Sequence, residues 1–277
     1  LRIFFETDHL SVFQKTNSLF SSFNKLLMFI PIADDNSDRT IHPIANYVFI
    51  ALNVLVWVLA QGMSGDTPFT YAYSTVPAEI LTGQDIVTQP QTYTDPATGY
   101  DFLIPGLGLT PIPVYLTMIT SMFMHGSWMH LAGNMLYLWI FGDNIENRLG
   151  RTRYIIFYLL CGVLASLSHV FSTVMSTQNS LVPSLGASGA ISGVLGAYLM
   201  MFPSRKVKMF VFRGVMEVPS YIALGAWIVL QVVSGLGLFG GGGTGGGVAY
   251  AAHIGGFIAG LLLVKFFDPL KKNKLEK

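Results

Sequence analysis

Apolar residues along this chain arrive in long blocks separated by polar connections. Six blocks approach or exceed the length that crosses a bilayer as a helix, about 20 residues. They cover 43–60, 126–142, 152–173, 187–202, 219–238 and 249–267. The second and fourth are short and rich in small or polar residues, which a membrane tolerates only where neighbouring helices bury them. Period-two alternation is absent from the blocks, which argues against a β-barrel. The pattern predicts an all-α membrane protein, a bundle of six transmembrane helices.

The connections divide the rest of the chain. Residues 1–42 are a mixed polar and aromatic lead-in. Its apolar run, Leu26 to Ile32, is too short and too far in for a cleavable signal. The run Asp34-Asp35-Asn36-Ser37-Asp38 predicts a solvated turn. Residues 43–268 form the membrane domain, and 269–277 a basic tail. Within the domain, 61–125 is a large outer loop whose last part, Val114 to Met124, is apolar enough to lie at the interface. The glycine run from Gly240 to Gly247, broken by Thr244, predicts a flexible loop before the sixth helix. No internal repeat is found, which weighs against inverted-repeat transporters.

Composition supports membrane residence: 52% of residues are hydrophobic and 11% charged, against roughly 25% charged in soluble domains. The placement of charge then orients the bundle. Lys and Arg occur in the lead-in, between the second and third helices (Arg148, Arg151, Arg153), between the fourth and fifth (Arg205, Lys206, Lys208, Arg213) and from Lys265 onward. Segments 61–125, 174–186 and 239–248 have none. Cation-rich and cation-free connections thus alternate with each crossing, and the positive-inside rule places both termini in the cytoplasm. The expected location is a bacterial plasma membrane. A net charge of +1 without a basic cluster gives no reason to expect nucleic acid as a partner. The tail lysines serve as a topology anchor beside membrane lipid. The single cysteine, Cys161, reads as a small buried hydrophobe.

Three polar constellations sit where polarity is costly. Gly186-Ala187-Ser188-Gly189, with Ser192 and Gly193 beyond, opens the fourth helix. A serine between small residues at a helix start is approachable, and unpaired N–H groups there favour developing negative charge. Glycines 189, 193 and 196 also read as a packing face. Ala252-His253-Ile254-Gly255-Gly256 puts a histidine inside a span, a functional-site hypothesis by default. The face Ala252, Gly256, Gly260 admits close approach of another helix, with Gly255 rotated away from it. Packing on the fourth helix would bring His253 towards Ser188, a pairing that suits nucleophilic catalysis. In the third constellation, His130 and Asn134 share one helix face and can donate to an oxyanion, or serve as interhelical glue. His169 reads as structural.

His130-x-x-x-Asn134, Gly186-Ala187-Ser188-Gly189 and Ala252-His253-x-Gly255-Gly256-x-x-x-Gly260, in this order on the second, fourth and sixth spans, resemble the rhomboid family of intramembrane serine proteases over about residues 40–268. The resemblance implies a rhomboid-like bundle and a serine endopeptidase acting on transmembrane protein substrates without cofactor or metal. It further implies Ser188 as nucleophile and His253 as base, a dyad without an acid. His130, Asn134 and the Ser188 backbone N–H would form the oxyanion hole. His125, the pair Glu146 and Arg148, and Gly186, Gly189, Gly193, Gly256 and Gly260 would have supporting roles. Two positions depart from the family. Leu116-Thr117 replaces a Trp-Arg pair that anchors the outer loop, and Ser192 replaces an aromatic that packs on the histidine ring.

Other chemistries fit less well. No His-Glu-x-x-His motif occurs. An aspartyl mechanism lacks two acids at membrane depth, since Asp143 and Glu146 lie at one helix end. The main alternative is a non-proteolytic binding or dislocation factor on the same fold, followed by a small transporter using His130, His169 and His253.

Overall fold

The computed structural model describes residues 30–94, 99–175, 180–211, 214–236 and 249–269. The expectations for most of the lead-in, the glycine loop and all but the first residue of the basic tail fall outside these residues. Six long helices occupy the six apolar blocks: α1 (Ile44–Leu55, continued by a π-helical turn Val56–Ala60), α2 (Trp128–Leu149), α3 (Arg151–Met175), α4 (Ser188–Met201), α5 (Ser220–Gly235) and α6 (Tyr250–Phe267). By length and composition α3 and α6 suffice to cross a membrane; α1, α4 and α5 are shorter apolar helices.

Local chemistry explains the helix ends. Ser127 caps α2 by accepting the His130 N–H at 3.1 Å. Gly150, at φ 78°, stops α2 and allows the reversal into α3. Pro43 precedes α1 and offers no side-chain cap. The Glu146 carboxylate of α2 supplies one instead, accepting the N–H groups of Ala45 at 3.0 Å and Asn46 at 2.7 Å. Arg148 reaches a different helix end, donating to Asp268 at 2.9 Å. The expected Glu146–Arg148 pair therefore consists of two separate ties, to α1 and to the end of α6.

The mostly helical expectation holds, with strands added that the pattern did not predict. Strands β1 (Ile30–Asp34), β4 (Lys206–Val211) and β5 (Gly214–Pro219) form an antiparallel sheet in the order β1-β4-β5. A hairpin of β2 (Gln91–Thr94) and β3 (Asp101–Ile104) lies within the outer loop. Lys206, Val207, Lys208 and Met209 alternate exposed and buried, the period of a half-covered strand. The acidic run after β1 is only partly solvated. Asp34 accepts from Asn144 and from Tyr198, each at 2.6 Å, and Asp38 pairs with Arg205. Burial raises the Asp34 carboxyl from its ordinary 3.8 to about 7. The sheet thereby ties the cation-rich ends of α2 and α4 together.

Helix α4 is the centre of the bundle, with every residue from Gly189 to Tyr198 buried. Around it, large apolar side chains remain uncovered on α1, α3 and α5, among them Leu59, Phe171, Val229 and Leu230. Apolar exposure spread over several helices suits a lipid environment. Segment Val114–Phe123 forms short helical turns at the opposite end from the sheet. The loop before it is held without a Trp-Arg pair. Thr75 bridges Ser184 through the backbone and contacts the Ser121 hydroxyl at 2.8 Å, and Thr120 donates to the Tyr73 carbonyl at 2.7 Å.

Candidate active site

Helices α2, α4 and α6 bring their N-terminal ends together at the end of the bundle remote from the sheet. Gly186, at φ 124°, turns the chain into α4, and its N–H is held by the Ser121 carbonyl at 2.8 Å. Ser188 then stands in the first turn of α4. His253 lies in the first turn of α6, and its Nε2 is 2.8 Å from the Ser188 hydroxyl. Both side chains are half-buried.

The pair is set by backbone contact between α4 and α6. A Cβ on Gly256 would overlap the Gly189 carbonyl oxygen, and one on Gly260 would overlap that of Gly193. Gly189 and Gly193 turn their own hydrogens the other way. A Cβ on Gly189 would lie 2.7 Å from Ala165 Cβ, and one on Gly193 would meet Cys161, both on α3. The glycines thus serve two interfaces, not one shared seam. Gly255 is no open position either, since a Cβ there would strike the Ser168 side chain of α3.

His130 approaches from α2. A Cβ on Gly186 would come within 2.8 Å of its Cε1 and 2.9 Å of its Nε2, so glycine is required for this approach. The Asn134 amide donates to His125 Nε2 at 2.9 Å, and the two imidazoles of His125 and His130 lie edge to face, centroids 5.1 Å apart. His125 is fully buried, and Gln61 brackets its backbone: the Gln61 side chain accepts the His125 N–H at 2.9 Å and donates to its carbonyl at 2.8 Å. A cavity of about 20 Å³ beside Ser188, with Ser121, Ser166 and Ser184 on its walls, has room for about one water molecule.

The sequence reading missed three residues at this end. Gln61 follows the first apolar block directly and carries no motif. Ser192 offers nothing to the His253 ring, because its hydroxyl donates to the Ser188 carbonyl at 2.6 Å. The ring is met instead from α5, by Trp227 at 6.0 Å between centroids and by Gln231, whose Oε1 is 2.7 Å from Nδ1. A lone amide in an apolar span was the available signal. His169 has no hydrogen bond to Ser188 or His253, and among the described residues no group of three His, Cys, Asp or Glu is placed to share a metal.

A helical bundle that holds a serine and a histidine in hydrogen-bond contact at two glycine-packed helix starts defines a small class of membrane proteins. The Rhomboid domain profile matches residues 114–268, more than half of the chain, and the protein belongs to the rhomboid family. Similar proteins include Rhomboid protein 1, mitochondrial, of Saccharomyces cerevisiae, 35% identical over 53% of this chain and 40% of that one. Presenilin-associated rhomboid-like protein A, mitochondrial, of Danio rerio is 34% identical over 58% of this chain and 40% of its own. Rhomboid protease GluP of Bacillus subtilis is 34% identical over 52% and 24%, respectively. The matches thus span well under half of these relatives' lengths. They also correct the expected location. Mitochondrial proteins of yeast, fish and mammals are among the proteins it resembles and point away from a bacterial plasma membrane. Charge alternation reports which side of a membrane a loop faces and carries no information about the organelle.

Proposed function

We propose that the chain is an intramembrane serine endopeptidase of a mitochondrial membrane, cutting membrane proteins in or near their transmembrane segments. One observation carries the reading, the 2.8 Å contact between Ser188 Oγ and His253 Nε2. His253 accepts the Ser188 proton as Oγ attacks the substrate carbonyl carbon. The tetrahedral oxyanion is stabilised by His130, Asn134 and the Ser188 backbone N–H. Collapse breaks the C–N bond, and His253 returns the proton to the leaving amine. A water, deprotonated by His253, then hydrolyses the acyl-enzyme. Six crossings with both termini on the cation-rich side put this chemistry towards the opposite leaflet.

The test is labelling of the purified protein by a fluorophosphonate probe, with cleavage of a transmembrane substrate in parallel. Ser188→Ala and His253→Ala are expected to abolish both. Asn134→Ala is expected to keep labelling and to lower turnover by roughly 100- to 1000-fold. Full cleavage by Ser188→Ala would reject Ser188 as the nucleophile, and a parent chain that neither labels nor cleaves would leave a binding or dislocation factor.

A further inference from the structure

Resting on that reading, we infer that Gln231 is a positioning residue for His253, a third member of the site contributed by α5. For His253 Nε2 to take the Ser188 proton, Nε2 must be unprotonated and the ring proton must sit on Nδ1. Nδ1–H then needs an acceptor. The Gln231 side-chain oxygen is 2.7 Å away, and it is the amide atom that matches this tautomer. The reverse amide orientation would donate to Nδ1 and move the ring proton to Nε2, where it would block the base.

Among the described residues no other group hydrogen-bonds His253 Nδ1. The hydroxyl of Ser192, the position where the family's aromatic is missing, is committed to the Ser188 carbonyl. Trp227, four residues before Gln231 and so on the same face of α5, meets the ring without hydrogen-bonding Nδ1. Gln231 is the only amide in the sequence of α5, in the apolar run Trp227–Val233. An amide at that depth is costly unless it is paired. Its pairing with His253 removes this cost and sets the ring's tautomer and rotation together. The oxygen is uncharged, so Gln231 orients the imidazole without neutralising the imidazolium.

The experiment uses the full chain in detergent and measures kcat and KM for a transmembrane substrate, fluorophosphonate labelling rate and unfolding temperature. Gln231→Met, a near-isostere without the oxygen, is expected to lower kcat and labelling rate together by at least about 10- to 100-fold, the range for losing the partner that orients a metal-bound imidazole. KM and unfolding temperature should stay close to those of the parent. Gln231→Glu keeps an oxygen acceptor in either protonation state and is expected to restore kcat to within about threefold. Parental kcat in Gln231→Met, or a Gln231→Glu variant no faster than Gln231→Met, would overturn the inference. Ser188→Ala serves as the separate control: activity there would reject the dyad itself, whereas an inactive Ser188→Ala beside a fully active Gln231→Met rejects only the positioning role.

Discussion

Helices α4 and α6 meet backbone to backbone, whereas α5 touches its neighbours through a few side chains. In α4 ten consecutive residues are buried; in α5 only Ser220 and Leu224 are. Lipid provides no hydrophobic drive for helix association, so the close pair depends on backbone packing that only glycine permits. That arrangement holds Ser188 and His253 with little freedom of separation. Helix α5 holds the far side of the same imidazole by an amide and a ring, contacts that side-chain rotation can adjust. The comparison assigns distance to one interface and orientation to the other.

Breaking the tight interface should have the largest effect. Gly256→Val puts a branched side chain against the Gly189 carbonyl. Displacing His253 by about 1 Å should cost on the order of 100-fold in turnover, with a smaller change in unfolding temperature. Parental turnover in this variant would mean that the α4–α6 contact does not set the dyad.

A second measurement asks whether the clamp on α4 carries charge. Asp34 is bonded to Tyr198 of α4 and to Asn144 of α2, whereas α5 starts on the uncharged Ser220 hydroxyl, which donates to the Pro203 carbonyl at 2.9 Å. Asp34 keeps its proton in the folded chain up to about pH 7 and loses it near 3.8 when unfolded. The folded state therefore binds more protons between these values, so stability falls as pH rises through that window and levels off above it. The unfolding temperature should decline from pH 5 to pH 7.5, and Asp34→Asn should flatten the decline. An unchanged slope in the variant would rule out Asp34 as its source.

The smallest effect belongs to the loose helix. A Cβ on Gly225 of α5 would meet nothing within 4 Å. Gly225→Ala should leave turnover unchanged and raise stability by about 0.5–1 kcal/mol, the helix-propensity gain over glycine. A clear loss of activity would mean that α5 packs more closely than its burial suggests.

Much of this was legible along the chain. Apolar blocks coincide with the six long helices, because a 20-residue run has few other solutions in lipid. Small-residue spacing picked out the faces of α4 and α6. Periodicity assigns residues to faces without saying how many neighbours a helix has, so Gly255 looked free until Ser168 of α3 was found against it. The sheet was hidden for another reason. Strand β1 has five residues, and Ile30 pairs with Phe210, far along the chain, so no local pattern announces either partner. Gln231 was visible as a polar residue in a span, but a single amide does not reveal which imidazole it faces.

That long-range pairing has a consequence for how the protein is made. Strand β1 leaves the ribosome well before β4, the strand that completes its edge. Until α4 is in place and β4 has followed, β1 and the acidic run behind it have neither Tyr198 nor Arg205 to bind. The sheet can close only after the serine-bearing helix has been synthesised. The N-terminal strand is thus a latch that engages only after α4 and β4 are in place, and a chain stalled earlier would keep an open strand edge.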